Sequence, residues 1–114
     1  MERVVCVKVK NIHPHYQNLK EWMDDPQNLY IGRRGIVFID NIRFPKKDSK
    51  WANPFRIGKN GTREDVLKKY EIYVTSLISD KKLYIEEIRG KTLGCWCHPE
   101  PCHGDILIKI LHNL

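Results

Sequence analysis

The C-terminal stretch KTLGCWCHPEPCHGDILIKILHNL constrains the fold more than any other part of the chain. It begins with KTLGCW, a short apolar run typical of a strand, and continues into HPEP, a turn stiffened by two prolines. The following GDILIKILHNL has apolar residues at helical spacing, which predicts a helix. We expect five of these residues to be buried: Ile106, Leu107, Ile110, Leu111 and Leu114. A strand, a tight turn and a helix in this order indicate a Rossmann-like unit of an α/β domain.

The rest of the chain supplies further strands and helices. The alternating pattern of RVVCVKVKN predicts a first strand with Val5, Val7 and Val9 on one face. We expect two more strands, at Leu29–Ile31 and near Ile36–Ile39. Expected helices lie near residues 15–23, after the N-cap Thr62, and around Leu83, Ile85 and Ile88, with Gly90 ending the last of these. Together these elements predict one small α/β domain over residues 1–114, with a short mixed sheet and packed helices.

Composition places the chain among intracellular proteins. Hydrophobic residues make up 41% and charged residues 30% of the 114 residues, which is typical of a folded domain. No apolar run reaches membrane-spanning length, and MERVVCVKVK lacks the apolar centre of a secretory signal. We therefore expect no membrane partner and an intracellular location: the cytoplasm, or the host cytoplasm or nucleus if the chain is viral. In such compartments clustered cysteines more often indicate metal binding or chemistry than disulfides.

The charge balance indicates an anionic partner. The formal net charge is +6 at pH 7, and the pI is about 9.2. A surplus of this size suits nucleic acid or a nucleotide, although lysine-rich surfaces also occur for solubility alone.

The segment GCWCHPEPCHGD holds three of the four cysteines and two of the five histidines. On a strand, Cys95 and Cys97 point to one face and Trp96 to the other. After the turn, Cys102 and His103 lie at the start of the last helix. The carboxyl ends of strands and the amino ends of helices are where α/β domains bind ligands, so we place the functional site here.

Three interpretations of this segment stay open at the level of sequence. In the first, zinc is held by four ligands: Cys95, Cys97, Cys102 and His103. In the second, Cys102 is a nucleophile at a helix N-terminus, with His103 and Asp105 as catalytic partners. In the third, the sulfur atoms only pack beneath Trp96, because free cysteine is often a buried hydrophobe.

Two preceding segments offer ligand-binding residues. In YIGRRG, the backbone near Gly32 and the guanidinium of Arg33 could hold a phosphate, although an ordinary solvated turn has the same pattern. In the segment SKWANPF, Trp51 could stack on a base while Asn53 reads a polar edge. The competing interpretation places Trp51 in the core, where most aromatic residues lie.

The fragments YIGR, WANPF, GTRED and KTLGCWCHPEPCHGD together resemble an uncharacterised family, domain of unknown function 4326, which occurs in bacteria, phages and large DNA viruses. The resemblance runs from about Leu29 to the C-terminus. It adds Tyr30 to the ligand-binding set Gly32, Arg33, Trp51 and Asn53, and it implies no particular reaction. The chain departs from the family pattern at Ala52, where a glycine is usual, and in its longer stretch IVFIDNIRFPKKDSK.

The expected function is binding of a phosphate-bearing ligand, a nucleotide or nucleic acid, at the Cys/His-rich site. Zinc, which would stabilise this site, is the one cofactor that the sequence suggests. Two alternatives remain. One is a transferase or hydrolase acting on a nucleotide-like substrate through Cys102, His103 and Asp105. The other is a non-catalytic basic adaptor for nucleic acid. Whether the domain is an enzyme is therefore undecided by the sequence.

Overall fold

The computed structural model describes residues 1–114, and its centre is a three-stranded parallel sheet. Its strands are β1 (Arg3–Cys6), β2 (Asn28–Tyr30) and β5 (Thr92–Cys95), in the spatial order β1-β5-β2. Strands β3 (Val37–Ile39) and β4 (Ile42–Phe44) form a separate antiparallel hairpin. Parallel and antiparallel pairs both occur among packed helices, so the predicted α/β class is confirmed.

Four α-helices and one turn of 3₁₀ helix surround the sheet. The helices are α1 (Val9–Ile12), α2 (Leu19–Asp24), α3 (Arg63–Ser79) and α4 (His103–His112), and the 3₁₀ turn is Ile85–Ile88. None of the helices is long and apolar enough to cross a membrane.

The two faces of the sheet bury two separate hydrophobic clusters. Leu93 and Cys95 of β5 belong to the larger cluster, which includes residues of α3, α4 and the 3₁₀ turn. The smaller cluster packs α1 and α2 against the other face through Trp22 and Tyr30. Gly94 lies between Leu93 and Cys95 in β5 and has no side chain. Trp22 of the smaller cluster occupies the space that a Cβ of residue 94 would need.

Reciprocal capping fixes the start of both long helices. At α3 the Thr62 side chain accepts from the Asp65 N–H, and the Asp65 carboxylate accepts from the Thr62 N–H. This confirms Thr62 as the predicted N-cap. At α4, Cys102 takes the N-cap position, and its backbone N–H donates to the Asp105 carboxylate at 3.0 Å. Both helices therefore begin where polar side chains satisfy free backbone N–H groups.

Several sequence predictions differ from the structure in detail. The first strand ends at Cys6, and Val9 begins α1, where it is exposed rather than buried in a strand. Strand β4 was not predicted; Asp40 and Asn41 both have positive φ and close a tight hairpin turn. Leu114, predicted to be buried, follows the end of α4 and is 74% exposed.

Candidate functional site

A cavity of about 520 Å³ opens where β5 ends and α4 begins. Among the predicted site residues, those that line it are Gly32, Arg33, Asn53, Cys95, Cys97, Cys102 and His103. Tyr30, Trp51 and Asp105 do not line it. Most of the residues predicted for the site therefore line one cavity, as the predicted strand–turn–helix unit implied. They meet there because β5 is the central strand of the sheet.

Two thiols meet at the inner wall of the cavity. The Sγ atoms of Cys95 and Cys102 are 3.2 Å apart, and the Gly104 N–H donates to Cys102 Sγ at 3.2 Å. The hydrogen bond from Cys102 is the main cause that lowers the pKa of Cys95 to about 6, with help from the backbone N–H groups of His98 and Cys97. The same contact, together with burial, raises the pKa of Cys102. The hydrogen bond between the two thiols thus favours the proton on Cys102 and the negative charge on Cys95.

His103 faces the backbone rather than a thiol. Its Nε2 lies 2.6 Å from the Ile31 carbonyl oxygen, which can only accept, so Nε2–H donates to that oxygen. The ring packs edge-on against Tyr70, with centroids 5.0 Å apart. Burial lowers the pKa of His103 to about 4. No hydrogen bond joins the imidazole to Cys102, so the predicted thiol–imidazole pair is not formed here.

Asp105 acts on the backbone in the same way. Its carboxylate accepts from the Cys102 N–H as part of the helix cap, and its side chain is exposed outside the cavity. A catalytic set of Cys102, His103 and Asp105 is therefore not assembled by this geometry.

The four residues predicted to bind zinc do not surround a common metal position in this structure. No group of three or more His, Cys, Asp or Glu side chains is arranged to hold a metal ion. The Cys95–Cys102 separation of 3.2 Å is shorter than the roughly 3.5–4 Å that two Zn–S bonds of about 2.3 Å impose. His103 is directed to Ile31 instead.

The buried histidine makes folding stability depend on pH. An unfolded His103 binds a proton near pH 6.5, whereas the folded one binds it near pH 4. Between these values the unfolded state holds more protons, so stability falls as the pH falls from 6.5 towards 4, by up to about 3 kcal/mol. We expect His103→Gln to flatten this slope in urea titrations, and the exposed His15→Gln to leave it unchanged. Equal slopes in wild type and His103→Gln would contradict the assignment.

Arg33 fastens the loop that forms one wall of the cavity. Its Nε and Nη2 donate to the Asn53 carbonyl at 3.1 and 2.7 Å, and Nη2 also donates to the Phe55 carbonyl at 3.0 Å. Burial, followed by the nearby Arg56, lowers the pKa of Arg33. The Asn53 Oδ1 accepts from the Phe55 N–H at 2.9 Å, while its Nδ2 donates to no protein acceptor. Asn53 is only 9% exposed and lines the cavity, so this amide is available to a ligand.

The cavity is strongly cationic. Arg33, Arg56 and Arg63 line it, and no Asp or Glu does. None of the three guanidinium groups forms a salt bridge; Arg63 donates only to the Pro101 carbonyl, at 2.9 Å. Sequence reasoning missed Arg56 and Arg63. Arg63 lies in the GTRED fragment, directly after the N-cap Thr62. The sequence prediction used this fragment only to place the start of the helix.

Trp51 and Tyr30 belong to the framework rather than to the ligand surface. Trp51 is fully buried in the larger cluster, and the Tyr70 hydroxyl donates to its carbonyl oxygen at 2.7 Å. The prediction that Trp51 stacks on a base is therefore wrong, because no face of the indole is open. The buried Tyr30 hydroxyl donates to the Arg33 carbonyl at 2.7 Å and accepts from Trp96 Nε1 at 2.8 Å. Tyr30 thus positions the Arg33 loop without lining the cavity.

Comparison with known proteins places this architecture in a family. The model of the family described as domain of unknown function (DUF4326) matches residues 15–113. The chain belongs to this family. The DUF4326 match covers both the cavity-lining loops and the GCWCHPEPCHGD segment. The resemblance identified from the sequence is confirmed.

Curated relatives of this DUF4326 chain come from viruses. An uncharacterized protein of Acanthamoeba polyphaga mimivirus is 38% identical over 91 residues, covering 73% of this chain and 65% of the relative. An uncharacterized 12.4 kDa protein from the nrdA-td intergenic region of Enterobacteria phage T4 is 37% identical over 68 residues, covering 56% of this chain and 61% of the relative. The chain thus spans less than two thirds of either relative. No solved structure matches it.

Proposed function

We propose that this domain binds a small phosphate-bearing ligand of nucleotide size in the cavity between β5 and α4. The observation that carries the proposal is the set of three arginines, Arg33, Arg56 and Arg63, facing a cavity that no carboxylate lines. Guanidinium groups that no carboxylate neutralises favour phosphate oxygens, which they contact through charge-assisted hydrogen bonds. We propose that the domain acts inside cells, where phosphate-bearing ligands are available.

Size and wall chemistry favour a nucleotide over a bare phosphate. The volume of about 520 Å³ lies within the roughly 300–1,000 Å³ that small-molecule sites occupy. Apolar side chains of Ile36, Phe55 and Val66 share the walls with the arginines. A ligand with a flat apolar part and an anionic part would use both kinds of surface. The free Nδ2 of Asn53 would donate to a carbonyl or ring nitrogen of a base.

Arg56 offers the sharpest test, since its guanidinium makes no hydrogen bond within the protein and its loss leaves the fold's own contacts intact. We expect Arg56→Gln to weaken binding of AMP or ATP about ten-fold to a hundred-fold, the range for losing one charge-assisted hydrogen bond. The matched control is Arg3→Gln, which removes an exposed charge outside the cavity. Isothermal titration calorimetry at constant ionic strength would compare AMP, ATP, adenosine and inorganic phosphate.

Two results would overturn this proposal. One is the absence of saturable binding for all four probes. The other is an equal loss of affinity in Arg56→Gln and Arg3→Gln, which would mean that only the overall charge matters.

A second candidate function, nucleic-acid binding, is favoured by a separate surface. Arg34, Arg43 and Lys46 line an open depression beside the β3–β4 hairpin, again without a carboxylate. The hairpin also exposes Phe38, and the Arg43 guanidinium lies 4.8 Å from its ring centroid. Such a surface suits a phosphate backbone with stacked bases. Oligonucleotide binding that falls steeply with salt and is unaffected by Arg56→Gln would support this candidate over the first.

The geometry does not support an enzyme that uses Cys102, His103 and Asp105 as a catalytic set. His103 and Asp105 are both committed to backbone groups, at Ile31 and Cys102, and neither contacts a thiol as a base.

A further inference from the structure

We propose that Cys95 and Cys102 form a redox-active dithiol in the cavity wall, which a small hydroperoxide converts to a disulfide. This activity is distinct from ligand binding by the arginines and does not rest on it. It follows from the way the fold brings the last residue of β5 against the N-cap of α4.

The geometry brings the two sulfur atoms close together from opposite ends of the turn between β5 and α4. Cys95 is fixed by the central strand, where it pairs with Cys6 of β1. Cys102 is fixed by the reciprocal cap with Asp105 and by the Gly104 N–H. Their Sγ atoms are 3.2 Å apart, and a disulfide of about 2.05 Å requires an approach of only about 1 Å. Side-chain rotation and a small shift of the turn supply such a displacement.

The two thiols differ in pKa, as a nucleophilic cysteine and its resolving partner are expected to differ. The hydrogen bond that Cys102 donates lowers the pKa of Cys95 and favours its thiolate form. Cys102 keeps its proton and donates it towards Cys95. Cys95 is therefore the sulfur that reacts first, and Cys102 the one that resolves the product. This order differs from the sequence prediction, which placed the nucleophile at Cys102.

The reaction balances with a hydroperoxide as the only oxidant. The Cys95 thiolate attacks one peroxide oxygen, the O–O bond breaks, and the products are Cys95–SOH and an alkoxide or hydroxide, which takes up a proton from water. The Cys102 sulfur then attacks the sulfenic sulfur, the S–O bond breaks, and water leaves with the Cys102 proton. One S–S bond has formed, the two sulfur atoms have lost two electrons, and the peroxide has gained them.

Burial selects a small oxidant. Cys95 is 1% and Cys102 2% exposed, and both line the cavity, so a molecule must enter it to react. A protein disulfide is too large for this route, whereas hydrogen peroxide is not. The other two cysteines serve as internal controls. Cys97 is half-buried and makes no hydrogen bond with either thiol. Cys6 is the neighbour of Cys95 across the β1–β5 pair, but its thiol donates to the Trp96 carbonyl and not to Cys95.

The test treats the reduced full chain with hydrogen peroxide and then counts free thiols after denaturation. We expect two of the four thiols to be lost, with a mass decrease of two hydrogen atoms. Trypsin leaves all three clustered cysteines in the peptide 92–109, and chymotrypsin separates 92–96 from 97–109 after Trp96. The expected product is a linked pair of these peptides, with Cys102 identified as the partner by fragmentation. Cys97→Ser and Cys6→Ser should give the same linkage.

Cys102→Ser provides the complementary result. Without the resolving thiol we expect Cys95 to stop at sulfenic acid, which a dimedone probe traps on peptide 92–96. Retention of all four thiols in the wild type, or a linkage through Cys97, would overturn the proposal, and the wild-type result stands even if a variant fails to fold. Because nucleotide binding is measured separately with Arg56→Gln, failure of either proposal is visible without the other.

Discussion

Replacing Trp51 by alanine is expected to lower the free energy of unfolding by about 3–5 kcal/mol. Trp51 is the largest fully buried side chain, and it packs in the same cluster as Tyr70 and Leu93. Truncation would leave a cavity that the surrounding helices and sheet cannot fill. Urea unfolding followed by circular dichroism would measure the change.

Trp51→Phe separates packing from polar effects. The Trp51 Nε1 is buried without a hydrogen-bond partner, which is itself a cost that phenylalanine removes. We therefore expect the phenylalanine variant to lose less than about 1.5 kcal/mol, since its smaller volume is partly offset by this relief. A stability loss below about 1 kcal/mol for Trp51→Ala would contradict the core placement, and it would reopen the base-stacking role predicted from the sequence.

Gly94→Ala is expected to destabilise the domain by about 3 kcal/mol or more, although alanine is normally the better residue in a strand. A Cβ at this position would lie 2.3 Å from Trp22 Cη2 and 2.7 Å from Val7 Cγ1. Both neighbours are buried, and Gly94 lies in the central strand, so neither side can move freely. Thermal and urea unfolding would both show the loss.

A double-mutant cycle would identify the cause of this loss. Phenylalanine at position 22 lacks the Cη2 and Cζ3 atoms that meet the new methyl group. We expect Gly94→Ala to cost at least about 1 kcal/mol less in a Trp22→Phe background than in the wild type. Additive effects of the two substitutions would show that the clash with Trp22 is not the reason for the glycine.

The sequence predicted the parts of the fold that depend on local patterns. The C-terminal strand–turn–helix unit, the strand at β2 and the Thr62 cap each rest on spacing or capping within a few residues. What it missed depends on distant partners. Val9 continued the alternation of β1, yet β5 pairs only as far as Cys6 and the chain then turns into α1. The turn between β3 and β4 has Asp40 and Asn41 at its two positive-φ positions. The sequence therefore lacks the glycine that would have indicated this turn.

The location of the candidate site was predictable, whereas the roles of its residues were not. Carboxyl ends of strands and helix starts can be found from the sequence, and they brought Cys95, Cys102 and His103 to one cavity. The bond of His103 to Ile31, far away along the chain, could not be inferred from neighbouring residues. Arg56 becomes visible only when the loop fastened by Arg33 folds over the cavity.

The position of β5 between β1 and β2 also bears on how the chain folds during synthesis. Arg3 pairs with Thr92 and Asn28 pairs with the same residue, so neither outer strand can pair until β5, which is synthesised well after both, has been made. Until then neither has its sheet partner, and the thiol-bearing wall does not exist. Contacts so far apart in sequence slow folding. We therefore expect nascent chains that stop before residue 92 to stay open on the ribosome and to acquire protease resistance only after Cys95 has emerged.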